Sequence, residues 1–266
     1  MSPAPEVRVV NDSQELAEEA ADLLIWLGTR AIASHGSFRI ALAGGATPKG
    51  LYAALVTPRF SKQLNWTKVE FFFGDERCVP PDHPESNFRM AHETLLRPLG
   101  IEPGRTFRME GEAANREETA RRYEAILRKQ FGAPPPAWPR FDLVLLGLGE
   151  DGYTASLFPE TPVLNEQARL VVTNEAPKGV AHRLSLTAAA INRAWAVMFL
   201  VVGSGKAEAV RAVLESPPPE QKPEQADLKF PARLIRPMDG RLIWFLDRAA
   251  ASRLAIARQG IVSHEE

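Results

Sequence analysis

Apolar residues recur along the chain at two alternating spacings. Leu16, Ala20, Leu23, Leu24 and Leu27 follow helical periodicity. Asp12 and Glu15 stand before them at capping-box spacing, and His35-Gly36 closes the segment. Short, almost wholly apolar runs lie between such helical stretches: Val7 to Val10, Phe38 to Ala43, Val69 to Phe73, Phe141 to Leu146, Ala196 to Val202 and Leu242 to Leu246. An almost wholly apolar run such as Phe141 to Leu146 is expected of a strand buried on both faces of a parallel sheet. Further helices are predicted from Thr47-Pro48 to Leu55, from Ser86 or Asn87 through Leu96, from Glu117 to Phe131, from Lys206 to Glu215 and from Ala249 to Arg258. Val171-Val172 and Leu184 to Leu186 are shorter strand candidates. Strands alternating with helices predict an α/β fold: an open, mostly parallel sheet with helices on both faces. With no repeat and no clean boundary, the expectation is one domain over residues 1–266.

Composition narrows the function. The 266 residues carry 32 Lys plus Arg against 33 Asp plus Glu. That balance argues against a nucleic-acid protein, which usually has a basic surplus. No apolar run approaches the roughly 20 residues of a membrane span. Met1 to Glu6 has no basic start or apolar core, so no signal peptide is expected. The single cysteine, Cys78, excludes an intramolecular disulfide and a multi-Cys zinc site. No His, Asp and Glu cluster has metal-ligand spacing. The expectation is a soluble, cytoplasmic, globular protein. Its 22 prolines exceed the usual share of about 5%. The clusters Pro134 to Pro139 and Pro217 to Pro219 read as surface connections.

In open parallel sheets, ligands bind outside the carboxyl ends of the strands. Four such ends carry unusual residues: Gly44 to Pro48, Gly74 to Arg77, Gly147 to Ser156, and Gly203 to Lys206. The first leads into a helix N-terminus, which suits an anion, though a tight turn alone would look the same. Gly203-Ser204-Gly205-Lys206 lacks the first glycine and the final Ser or Thr of a P-loop, so nucleotide binding is not expected. Lys206 is a monophosphate ligand or a solvated lysine. Gly147 to Gly152 matches G-x-G-x-x-G, but Pro159 leaves no room for the long helix of a dinucleotide site. Asp75, Glu76 and Arg77 end an apolar strand, suited either to acid–base work or to an ion pair with Arg77 or Arg89.

Taken together, these blocks resemble the 6-phosphogluconolactonase family. The matching text is Ala43 to Pro48; Phe73 to Arg77 with Val79-Pro80 and Ser86-Asn87; Gly147 to Gly152 running into Thr154 to Pro159; Arg183 to Thr187; and Gly203 to Lys206. The resemblance implies hydrolysis of 6-phospho-D-glucono-1,5-lactone to 6-phosphogluconate, without a metal or organic cofactor. It implies a modified Rossmann-like fold that binds no dinucleotide, in a monomer or weak homo-oligomer. It places Gly44, Gly45 and Thr47 around the phosphate, with Arg183 and Lys206 supplying positive charge and Asp75 and Arg77 facing the lactone. Related glucosamine-6-phosphate deaminases share several motifs; Arg77 and Ala155 to Pro159 favour the lactonase branch.

One departure stands out. Where the family carries its general-base histidine, this chain reads Asp151-Gly152-Tyr153. A phenol with an ordinary pKa of about 10 is a poor base near neutrality. Three alternatives follow: another group such as Asp151, Glu76 or His182 activates water while Tyr153 orients it; activity is reduced; or the protein binds a sugar phosphate without turnover. His182 beside Arg183, and His83 before Ser86, are solvated or structural histidines on the simpler reading.

Overall fold

The computed structural model describes residues 4–216 and 223–255. The chain opens with β1 (Glu6–Val10), α1 (Ser13–His35), β2 (Phe38–Leu42), α2 (Ala46–Leu55) and β3 (Val69–Phe73). Next come β4 (Asp75–Arg77), α3 (Asn87–Ala91), α4 (Arg116–Phe131), β5 (Leu143–Leu146), β6 (Val171–Glu175), β7 (His182–Leu186) and α5 (Ala188–Ile191). It continues through β8 (Ala196–Val201), α6 (Ala207–Leu214), α7 (Pro223–Lys229), β9 (Arg241–Asp247) and α8 (Arg248–Ala251). Six strands form a parallel sheet in the order β1-β9-β8-β5-β2-β3.

Strand alternation splits each apolar run between two cores. Ile40, Leu42, Phe71, Phe73, Leu143, Leu145, Met198 and Phe245 face α1 and α2, where Leu16, Leu24, Leu51 and Tyr52 are buried. Ala41, Phe72, Val144, Leu146, Phe199 and Trp244 face the other side, against Tyr123 and Leu127 of α4 and Val210 of α6. Burying one such large side chain contributes about 1.5–3 kcal/mol, so both faces of a strand must be covered. This accounts for the mainly apolar runs.

Local signals operate with small shifts. Asp12 accepts from the N–H groups of Gln14 and Glu15, whereas Glu15 reaches back to the N–H of Asn11 rather than Asp12. Gly36 ends α1 at φ 85°, a backbone state that favours glycine. The helix predicted through Leu96 ends as α3 at Ala91 and continues as a wider π-helical turn, His92–Leu96. The last predicted helix is shorter, with α8 ending at Ala251; residues 256–258 lie outside the described part. Pro134, Pro135 and Pro136 are exposed, as a surface connection requires, while Pro139 is buried; Pro217 to Pro219 lie outside the described residues.

The main topological addition is a second, antiparallel sheet in the order β4-β7-β6. Asp75 to Arg77 is one of its strands rather than a strand-end loop. The chain passes between sheets at Gly74, whose N–H donates to Leu42 O at 2.9 Å and whose carbonyl accepts from Leu186 N at 2.8 Å. Three-residue β4 has no periodicity of its own, so only its pairing with β7 defines it.

Candidate active site

The four glycine-bearing segments meet in one cavity of about 330 Å³ at the carboxyl edge of the parallel sheet. Gly44, Gly45, Thr47, Asp75, Arg77, Tyr153, Arg183 and Lys206 all line it. Two buried tyrosines anchor the strands just before these segments. The hydroxyl of Tyr52 donates to Ala43 O at 2.8 Å and accepts from Ala43 N at 3.0 Å. Tyr123 accepts from Phe73 N at 2.9 Å and donates to Phe107 O at 3.2 Å. Burial pushes both phenols above their usual range.

On one wall, Gly45 caps α2 with φ 98° and no side-chain hydrogen bond, leaving the first N–H groups of the helix without a capping side chain. Gly44 has a separate reason to be glycine. A Cβ there would stand 1.8 Å from the Asn87 amide oxygen. Asn87 in turn donates to the Asp75 backbone oxygen at 2.9 Å and to Asp75 Oδ1 at 3.1 Å. Ser156 Oγ donates to Asp75 Oδ2 at 2.7 Å. Asp75 is thus buried, held on both oxygens by neutral donors, and still part of the cavity wall.

Asn87 and Ser156 are functional neighbours that residue-by-residue reading did not single out. Their signal lay in the Ser86-Asn87 and Thr154 to Pro159 blocks, whose partners only the fold reveals. Gly203 turns at φ 100°, and its N–H donates to both oxygens of Asp247, which fixes the loop that carries Lys206.

The cations are arranged unusually. Arg77 and Arg183 stand directly opposite each other across β4 and β7. Like charges in that relation destabilise a sheet. Arg183 is 8% exposed, and its guanidinium makes no hydrogen bond among the described residues. Arg77 donates one Nη1 bond to Glu85 O at 2.6 Å, while its buried Nε has no partner. Burial, and then the charge of Arg77, pulls the Arg183 guanidinium below its usual value. Two poorly paired arginines, with Lys206 in the same wall, form a site built to receive an anion.

Several candidates fall elsewhere. Asp151 is exposed and does not line the cavity; Oδ1 accepts from the Tyr153 N–H at 3.5 Å, so it serves a turn. Glu76 is buried and accepts from Ser86 Oγ and from the N–H groups of Arg77, Asn87 and Phe88. It organises the start of α3 and is absent from the cavity wall. His182 points into a separate groove with Glu175 at 3.5 Å. His83 accepts from Glu85 N at 3.2 Å, likewise outside the cavity. The Gly147 to Gly152 segment opens no helix and folds through Gly152 N–H to Gly149 O at 3.1 Å. Among the described residues, no group of three His, Cys, Asp or Glu side chains is placed to hold a metal.

The parallel sheet with a cationic cavity at its carboxyl edge defines an α/β protein with a site for an anionic ligand. The model of the glucosamine-6-phosphate isomerase/6-phosphogluconolactonase family matches residues 11–244, and the chain belongs to that family. It is 43% identical over 251 residues to a 6-phosphogluconolactonase of Synechocystis sp., covering 94% of this chain and 99% of that relative. Among solved structures it resembles 6-phosphogluconolactonase from Trypanosoma cruzi, with TM-score 0.83, 30% identity, and coverage of 96% of this chain and 98% of the other. It also resembles a monomeric glucosamine-6-phosphate deaminase, with TM-score 0.74, 26% identity, and coverage of 93% and 99%.

Proposed function

We propose that the protein hydrolyses 6-phospho-D-glucono-1,5-lactone to 6-phosphogluconate in the oxidative pentose phosphate pathway. The observation that carries this reading is the open cationic cavity, set in a chain 43% identical to a 6-phosphogluconolactonase. In this reading Lys206, Arg183, Gly44, Gly45 and Thr47 hold the phosphate, while Arg77, Asp75 and Tyr153 face the lactone. The open N–H groups at the start of α2 support the phosphate assignment. The family resemblance requires no metal or organic cofactor. Two cores packed on one sheet support a single domain over residues 1–266. A monomer or weak homo-oligomer and a cytoplasmic location belong to the same reading. Among the described residues, no helix is long and apolar enough to cross a membrane.

Acid release from the phosphorylated lactone, measured against a protein-free control, tests the proposal. Acceleration is expected; no acceleration across a broad pH range rejects it. Tyr153 in the histidine position motivates a second reading, a binder of sugar phosphates without turnover. Calorimetry with 6-phosphogluconate then shows binding where the lactone assay shows no rate. Ammonia release from glucosamine 6-phosphate would instead indicate the deaminase activity of the related branch.

A further inference from the structure

The cavity wall contains no histidine, and among the described residues its one carboxylate is Asp75. Tyr153 lines the same cavity. Its ring packs on Phe158, with centroids 4.9 Å apart, and lies so close over Gly149 that a Cβ there would stand 2.1 Å from Tyr153 Cδ1. The ring is therefore held in place. Its hydroxyl makes no hydrogen bond among the described residues, which leaves its proton available to a ligand.

We infer that, within the lactonase reading above, Asp75 is the base that activates water and Tyr153 is the hydrogen-bond donor to the lactone carbonyl. Water adds to C1 and gives one proton to Asp75, while the carbonyl π pair moves onto oxygen. The Tyr153 hydroxyl donates to that oxyanion. The tetrahedral centre then re-forms its C=O and breaks the bond from C1 to the ring oxygen. The ring oxygen takes the proton back from Asp75 and becomes a hydroxyl. The new carboxylic acid loses its own proton to solvent.

The surroundings agree with these roles. Ser156 and Asn87 occupy one position on each Asp75 oxygen, and neither donor is charged. No arginine ion pair neutralises Asp75 among the described residues. A carboxylate oxygen has room for a further donor, such as water. The charged groups acting on the Tyr153 phenol are Asp75 of β4, Asp151 of the preceding turn, Arg183 of β7 and Arg77 of β4. Burial, then the charges of Asp75 and Asp151, raises the phenol above its usual range, against partial relief from the two arginines. A phenol so placed keeps its proton at neutral pH and donates; it does not act as a base.

The test is steady-state lactone hydrolysis by the wild-type protein, Asp75→Asn and Tyr153→Phe, corrected for spontaneous ring opening. Calorimetry with 6-phosphogluconate checks that each variant still binds product. The expected result is a kcat loss of about 10²–10⁴-fold for Asp75→Asn and about 10²–10³-fold for Tyr153→Phe. Product affinity should stay within about threefold in both, a split that a merely structural role would not produce.

Either variant retaining kcat within threefold overturns the assignment. A wild-type protein with no lactonase activity at any pH removes the functional reading itself, whereas an active protein indifferent to both substitutions removes only these roles.

Discussion

At the edge where the parallel strands begin, charged groups meet oppositely charged partners; at the edge where they end, three cations meet no carboxylate among the described residues. Asp142, just before β5, accepts from the Arg39 N–H at 2.8 Å and lies 2.9 Å from His35 Nε2. Arg140 bonds Asp239 at 2.7 Å, Arg241 bonds Glu6 at 2.7 Å and Arg39 bonds Glu70 at 3.0 Å. At the opposite edge Arg77, Arg183 and Lys206 have no carboxylate partner among the described residues. A buried charge without a partner is costly, so a fold selected for stability alone would close both edges alike. The difference separates groups that serve the fold from groups that serve a ligand.

Arg183→Met should have the largest effect. It should weaken 6-phosphogluconate binding by about 10- to 100-fold, the scale of a lost charged hydrogen bond. Chemical denaturation should show stability unchanged or higher, because an unpaired buried cation is removed. Lower stability with intact affinity would place Arg183 among the structural groups and break the comparison.

Asp142→Ala should do the reverse. Stability should fall by about 1–3 kcal/mol as the Arg39 N–H loses its acceptor, while kcat/KM stays at the wild-type value. Burial raises the Asp142 carboxyl above its ordinary 3.8, against the Arg39 N–H and His35. The folded state therefore binds this proton more readily than the unfolded state. The contribution of that titration favours the fold at low pH and declines as pH rises through the folded value. Denaturation midpoints across acidic pH would lose this component in the variant.

Glu6 gives the smallest and oppositely signed effect. Burial alone would raise its carboxyl, but hydrogen bonds from Arg241 and Arg8 and their charges hold it below 4.5. Its pairing therefore adds stability above 4.5 and loses it as pH falls through the lower folded value. Glu6→Gln should flatten the fall in Tm on acidification, and an unchanged slope would show that this partly exposed pair contributes nothing.

Much of this was legible in the chain. The apolar runs located the six parallel strands, since a strand covered on both faces is mostly apolar rather than regularly alternating. The glycine-bearing turns located the site, since ligands gather where parallel strands end. Tyr153 was visible as a departure from the family pattern. Less was legible around it: Asp151 sits one turn from the cavity and Glu76 alternates away from Asp75, facts of side-chain direction that spacing alone does not show. Asn87 and Ser156 lie 12 and 81 positions from the aspartate that they hold.

The sequence by itself determined the order of elements, the two-sided sheet and the set of candidate groups, because periodicity and turn chemistry are local. Only the tertiary structure decided how those groups are used. Pairing β4 with β7 brings Arg77 against Arg183, and the turn of the chain at Gly74 sets Asp75 between Asn87 and Ser156 beside the cavity. These relations depend on contacts between segments far apart in the chain, where burial and pairing, rather than local preference, determine which charge is satisfied and which is left open.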